Sequence, residues 1–310
     1  MSSATGRSYF DPVTLDKISR LDVRARVVVE GFITGMHKSP YHGFAVEFAT
    51  HREYSPGDEI KHLDWKVWSK TDRLYIKEYE EETNLRCTLV LDCSKSMAYG
   101  GGERSGGGMS KFDYGATAAA CLAHLLQHQQ DAVGLMTFST KIQKNLPPST
   151  HPTHRKLLMH ELEQTVPDDK TDIADPFRQI AEQVRRRGMV VIISDLFLDL
   201  GTLKKSLQEL RHRRHDIVLF HVMHDHELTF PFEDNTLFRG LETPVELHTE
   251  PRALRKAYLE VVDRFLHEVR KICASNGIDY LLCNTRDPLD VVLSSYLNAR
   301  SRIRRGAARR

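Results

Sequence analysis

The feature that most constrains this chain is an alternation that begins after Asn84. Apolar runs of strand length (Thr88 to Leu91, Ala132 to Phe138, Met189 to Ile193, Ile217 to Val222, Tyr280 to Leu282) are separated by stretches of helical periodicity (Phe112 to His128, His154 to Thr165, Ile173 to Arg187, Leu203 to Arg213, Pro251 to Ser275). Strands that are apolar along their whole length are covered on both faces, and helices between them supply the crossovers that parallel pairing needs. The pattern therefore predicts an α/β fold with a doubly wound, mostly parallel sheet. Lys141 to Leu146 follows the second strand too closely for a crossover, so it is expected to pair antiparallel at an edge. No internal repeat is present.

Before Asn84 the pattern differs. Asp11 followed by Pro12 is a helix start, and Leu15, Ile18, Leu21, Ala25 and Val28 recur at helical spacing, predicting one amphipathic helix that ends near Gly31 or Gly35. From there to Thr83 the period falls to two: Phe44, Val46 and Phe48, then Leu63, Trp65 and Val67, then Leu74 and Ile76 read as short strands, with Ser55 to Asp58 as a turn. The chain has 310 residues, and single cores stop growing at roughly 250 to 300 residues, so one main domain with an appendage is expected. The expected division is 1–84 for the helix and β-rich segment, 85–299 for the main α/β domain and 300–310 for a basic tail.

Composition removes several classes. With 40% hydrophobic and 28% charged residues, the chain has the balance of a globular protein. No apolar run approaches the ~20 residues of a membrane span, and Met1 to Phe10 lacks a signal-peptide core. The five cysteines, Cys87, Cys93, Cys121, Cys273 and Cys283, are odd in number and include no CxxC pair, so neither a disulfide framework nor a cysteine zinc site is expected. A cytoplasmic location follows. Net charge is +2, but six arginines (Arg300, Arg302, Arg304, Arg305, Arg309, Arg310) lie in the last eleven residues; without them 38 basic residues face 42 acidic. No aromatic or Gly-rich RNA signature is interleaved, so the tail reads as a solvated terminus rather than a nucleic-acid site. The six glycines of Tyr99 to Gly108 predict a mobile loop.

Open parallel sheets place ligands beyond the carboxyl ends of their strands. The first strand ends in Asp92-Cys93-Ser94-Lys95-Ser96, the Met189 to Ile193 strand ends in Ser194-Asp195, and Thr171-Asp172 opens the helix before it. The i, i+2, i+4 spacing of Asp92, Ser94 and Ser96 lets a loop aim alternate oxygens at one point. Oxygen donors with few negative charges suit a hard cation, Mg2+ or Mn2+. The bland alternative makes Asp92 a helix cap. Cys93 points to the core. His224 and His226 share a strand face but lack a third ligand, which disfavours zinc. Neither GxxxxGK[ST] nor GxSxG is present. A phosphoaspartate enzyme has an acid where Ser94 stands and needs a positioned Lys, whereas Lys95 points away, and no His or Lys is placed by spacing as a general base. His37, Ser39, Glu47, Arg52, Tyr54, Asp58 and Asp64 form either a functional surface or a structural polar network.

DCSKS with Met97, then Thr171, then Asp195, resembles the metal-ion-dependent adhesion site of von Willebrand factor A domains at all five positions. That resemblance implies that Ser94, Ser96 and Thr171 ligate the ion directly or nearly so, that Asp92 and Asp195 act largely through water, and that the remaining position takes an acidic group from a partner. GMHKSPYHGFAVEF from Gly35, with Arg52, Tyr54, Gly57, Asp58 and Asp64-Trp65, is similar to the signature of the bacterial domain of unknown function fifty-eight, which precedes a von Willebrand factor A-like domain. The similarity extends from about Val28 to Leu297, with Lys70 standing where the family carries Arg. It implies association with MoxR-type AAA+ ATPases and a chaperone-like part in assembling or activating other proteins. The expected function is thus a non-enzymatic adaptor that binds an acidic protein client through its metal. The alternative is a metal-dependent phosphatase or hydrolase with Asp92 as nucleophile.

Overall fold

The computed structural model describes residues 11–37, 50–54, 68–69, 73–78, 85–101, 108–167, 176–241 and 245–297. The chain divides into two compact units, one of residues 1–33 with 85–310 and one of residues 34–84.

In the larger unit, β3 (Arg86–Asp92), β4 (Ala132–Phe138), β5 (Ile142–Ser149), β6 (Met189–Ser194), β7 (Asp216–Met223) and β10 (Asp279–Asn284) form one six-stranded sheet in the order β10-β7-β6-β3-β4-β5. Every pair is parallel except β4 with β5. Read from the β5 edge, the first strand of the unit is third and the order reverses between β3 and β6, which makes their carboxyl ends the topological switch point. This is the doubly wound, von Willebrand factor A-like and Rossmann-like class, with the expected antiparallel edge. β5 tolerates Pro147 and Pro148 because an edge strand has one side without ladder bonds.

The helices that cover the sheet are α3 (Lys111–His128), α4 (Pro152–Gln164), α5 (Pro176–Gln183), α6 (Leu200–His212) and α8 (Pro251–Ser275). On one face, Val90, Phe138, Ile192 and Leu219 of the sheet pack with Phe177 and Ile180 of α5, Leu207 of α6 and Ile272 of α8. The other face receives α3, whose Ala116, Ala119, Ala120 and Ala123 are buried. Short side chains let this helix lie close to the strands.

The amino-terminal helix differs from its periodicity. It is broken into α1 (Pro12–Asp16) and α2 (Leu21–His37). The break is held by one side chain of α2 and one of α4: the Arg24 guanidinium donates to the Ile18 carbonyl at 3.1 and 2.7 Å, and Glu163 accepts from the Leu21 N–H at 3.0 Å. Helix α2 then runs through Gly31 and Gly35. Leu21, Ala25, Val28, Val29 and Phe32 are buried, and residues 1–33 group with the sheet unit rather than with 34–84, whereas the sequence pattern places the cut after Asn84.

The smaller unit contains β1 (Thr50–Glu53) paired antiparallel with β2 (Tyr75–Glu78). His37 closes α2 and Arg52 lies in β1. The expected strands over Phe44 to Phe48 and Leu63 to Val67 lie outside the described residues, as do Ser39, Glu47, Asp58, Asp64, Lys70, most of the glycine loop and the arginine tail. Three elements escape the sequence pattern: the short α7 (Asp225–Thr229), a hairpin of β8 (Thr236–Arg239) with β9 (Glu246–Thr249), and a helix over 289–297. Helix α5 ends at Gln183, short of the expected Arg187, and Ile173 to Asp175 lie outside the described residues. Among the described residues, no helix is long and apolar enough to cross a membrane.

Candidate functional site

The switch point brings two strand ends side by side: Leu91 of β3 is level with Ile193 of β6, so Asp92 and Ser194 follow as neighbours. The Asp92 carboxylate is engaged on both oxygens. Oδ1 accepts from the Ser94 N–H at 2.9 Å and Oδ2 accepts from the Ser194 hydroxyl at 2.6 Å. The first bond is an Asx turn. It swings the chain off the strand into a 3-10 turn, Lys95–Ala98, that begins right after Ser94. The Ser94 and Ser96 hydroxyls end 3.0 Å apart. Both serines are buried. Cys93, between Asp92 and Ser94, is turned inward, its thiol donating to the Phe138 carbonyl at 3.0 Å.

On β6 the matching turn is built by Ser194, whose oxygen also accepts from the Leu196 N–H at 3.0 Å. Leu196 stands at φ +55°, and its burial and these bonds hold it there. Asp195 is buried beside Asp92. Burial, and then the Asp195 charge, push the Asp92 carboxyl up to about 7, against the lowering by its Ser194 and Ser94 hydrogen bonds. Among the described residues, Asp92 is therefore a buried carboxyl with only neutral donors, next to a second carboxylate.

Asp195 has a cation of its own, which spacing did not reveal. Lys111, the first residue of α3, is fully buried, and its ammonium donates to Asp195 Oδ2 at 2.8 Å and to Glu227 Oε1 at 2.8 Å. Helical side chains lean toward the helix amino terminus, and that end of α3 lies at the carboxyl edge of the sheet. Ser110 caps it by accepting from the Asp113 N–H at 3.0 Å. Burial alone would lower the Lys111 pKa, but the Asp195 and Glu227 charges and bonds hold it above its ordinary value. The ammonium also lies 4.6 Å from the Phe197 ring centre and 5.9 Å from that of Tyr99, within cation–π range. Sequence spacing places no Lys or His here as a general base; Lys111 reaches Asp195 across 84 residues of sequence, as an ion-paired ammonium.

Glu227 belongs to the capping box of α7: its Oε2 accepts from the His224 N–H at 2.7 Å, and His224 Nδ1 accepts from the His226 N–H at 3.1 Å. His224 and His226 therefore start a helix rather than share a strand face. Gly100 packs against this corner at φ +95°, where an added Cβ would lie 2.6 Å from the His224 ring. His221 sits beneath. Its Nε2 meets the Asp195 carbonyl at 2.9 Å and its Nδ1 the Tyr280 hydroxyl at 2.9 Å. A carbonyl only accepts, so Nε2 carries the proton, and burial brings the ring down to about 4.

Of the five expected ion-site residues, the structure brings together Asp92, Ser94, Ser96 and Asp195. Thr171, with Asp172, lies outside the described residues. The donor set fits a hard divalent cation: an under-neutralised buried carboxyl, two hydroxyls within 3.0 Å of each other and a second carboxylate.

A doubly wound sheet with this oxygen cluster at its switch point defines an α/β protein with a candidate cation site. The family model described as Protein of unknown function DUF58 matches residues 50–266. The chain belongs to that family. Uncharacterized protein Rv1480 of Mycobacterium tuberculosis and Uncharacterized protein Mb1516 of Mycobacterium bovis are each 24% identical to it over 281 residues, 89% of this chain and 86% of the relative. Among solved structures, an aerotolerance-related membrane protein from Bacteroides fragilis is 16% identical with a TM-score of 0.48, and BatB from Bacteroides thetaiotaomicron is 15% identical with a TM-score of 0.47; each match covers 70% of this chain and 99% of the other. The SpRpn10 VWA domain is 14% identical with a TM-score of 0.37, over 67% of this chain and 94% of that one.

Proposed function

We propose that this protein is a non-enzymatic binding adaptor that holds a Mg2+ or Mn2+ ion with the hydroxyls of Ser94, Ser96 and Thr171, with Asp92 and Asp195 supplying charge through water. The ion's open position receives a carboxylate from an acidic protein client. The observation that carries this reading is the Ser94–Ser96 hydroxyl pair beside a buried Asp92 that has only neutral donors among the described residues. A bound divalent ion would supply the positive charge that Asp92 lacks and a contact point for a partner's acid. The association with a MoxR-type AAA+ ATPase rests on the family resemblance alone.

For the enzyme alternative, Lys111 supplies an ammonium that sequence spacing does not place. Two features weigh against that alternative. Lys111 is bonded to Asp195 and Glu227 rather than to Asp92. Both Asp92 oxygens are taken, and the residue is only 6% exposed, whereas a nucleophile must be reachable.

Calorimetric Mg2+ titration of wild type against Asp92→Ala/Asp195→Ala is the test, with retention of a MoxR-type ATPase measured in Mg2+ and in chelator. Uptake by the wild type alone, with metal-dependent retention lost in Ser96→Ala, is expected. Equal uptake by both chains refutes the ion site. Phosphatase or peptidase turnover that disappears in Asp92→Asn would favour the enzyme.

A further inference from the structure

We propose that Lys111 is a fixed internal cation that sets the charge balance of the ion site, so that the buried cluster of Asp92, Asp195, Glu227 and Lys111, with its carboxyls ionised, is matched by a divalent ion. This rests on the reading of Asp92, Ser94 and Ser96 as that site.

The charges form one connected group. Asp195 stands between Asp92, whose carboxyl its charge raises, and the Lys111 ammonium at 2.8 Å; Glu227 bonds the same ammonium at 2.8 Å. The side-chain exposures are 0% for Lys111, 2% for Asp195 and 13% for Glu227. Among the described residues, neighbouring charges balance separately: Asp225 pairs with Arg286 at 3.0 Å and accepts from Asn284 at 2.9 Å, His221 and His224 are held neutral by burial, and Lys95 is exposed.

With all three carboxyls ionised, the state a bound cation favours, three carboxylates and one ammonium leave the cluster two negative charges. Uncompensated charge is costly away from water. A monovalent ion leaves one charge unmatched, whereas a divalent ion leaves none. Without the ammonium, three negative charges would attract any cation more strongly and a divalent ion would no longer neutralise them. Lys111 thus acts through the cluster's charge, without touching the ion. It holds divalent affinity below what the carboxylates alone would give, which suits a site whose ion must accept one more carboxylate from a partner.

A charge role and a purely structural role predict different signs, and a double-mutant cycle separates them. The variants are Lys111→Met, which keeps the length and removes the charge, Glu227→Gln, which removes one negative charge away from the expected ligands, and the two combined, which restores the net charge of two. Mg2+ and Mn2+ affinities are measured by calorimetry at neutral pH and low salt, with folding checked by circular dichroism. Lys111→Met should tighten binding roughly tenfold, Glu227→Gln should weaken it roughly tenfold, and the combined variant should return to within about threefold of wild type, as expected for one unit charge acting on a divalent ion in a site of moderate dielectric. If Lys111→Met does not fold, weakening in Glu227→Gln with recovery in the combined variant is the supporting result. Affinities that fall in all three variants, or that do not change, overturn the proposal and leave the ion site standing. A wild-type chain that takes up neither ion overturns both.

Discussion

Ser194 joins the two strand ends, and its removal is the sharpest stability test of the site. The residue is fully buried; its hydroxyl donates to Asp92 Oδ2 at 2.6 Å and accepts from the Leu196 N–H at 3.0 Å. Ser194→Ala removes a hydrogen bond to a buried carboxyl, worth ~1.5 to 3 kcal/mol where the acceptor is charged, and leaves a buried backbone N–H without its partner at ~1 to 3 kcal/mol. The two bonds share one oxygen and do not add in full, so about 3 kcal/mol is expected. Leu196 adds to the sensitivity, since a non-glycine residue at φ +55° keeps that conformation only while its surroundings enforce it. Ser94→Ala is the internal control, because the Ser94 hydroxyl bonds the neutral Ser96 hydroxyl at 3.0 Å and its loss should cost about 1 kcal/mol. Urea unfolding followed by far-ultraviolet circular dichroism reads both. With a slope of ~2 to 3 kcal/mol per M, Ser194→Ala should lower the midpoint by about 1 M and Ser94→Ala by about a third of that. Equal shifts in the two variants would refute the role given to the Ser194–Asp92 bond.

Three further outcomes follow from burial and close packing. All five cysteines are buried, and burial pushes the Cys121 and Cys273 thiols up to about 12, so a thiol-specific chromogenic reagent should label the native protein negligibly and the urea-unfolded protein fully; rapid native labelling contradicts the packing. A Cβ at Gly134 would lie 2.6 Å from the Leu146 carbonyl oxygen and 2.7 Å from the Pro148 nitrogen, both backbone atoms of β5, so Gly134→Ala should lower the melting temperature by about 5 °C or more, and an unchanged melting curve refutes the close approach. His215 donates from Nε2 to the Val184 carbonyl at 3.0 Å, and burial lowers its pKa. A lowered folded value means stability that is present above the unfolded pKa of ~6.5 and lost as pH falls below it, so the wild-type urea midpoint should drop with acidification and His215→Gln should drop less; parallel slopes would sink that assignment.

The α/β class, the strands of the main sheet, the antiparallel edge and the Asp92-Ser94-Ser96 cluster were legible in the sequence because each is a local pattern: a run buried on both faces, a gap too short for a crossover, alternate oxygens leaving a strand end. The break between α1 and α2 was not, because the Ile18 carbonyl and Leu21 N–H that would continue the helix are satisfied by Arg24 and by Glu163, and Glu163 comes from α4. The β8–β9 hairpin and α7 are too short to show a period. Lys111 and Glu227 could not be assigned from spacing, since one begins a helix and the other a capping box and neither has a local reason to face Asp195. By itself the sequence placed Asp92, Ser94, Ser96 and Asp195 at the strand ends that meet at the switch point. Only the tertiary structure decided which charges face one another there, because burial, and with it the strength of every charge in the cluster, comes from segments that meet through folding and not through sequence.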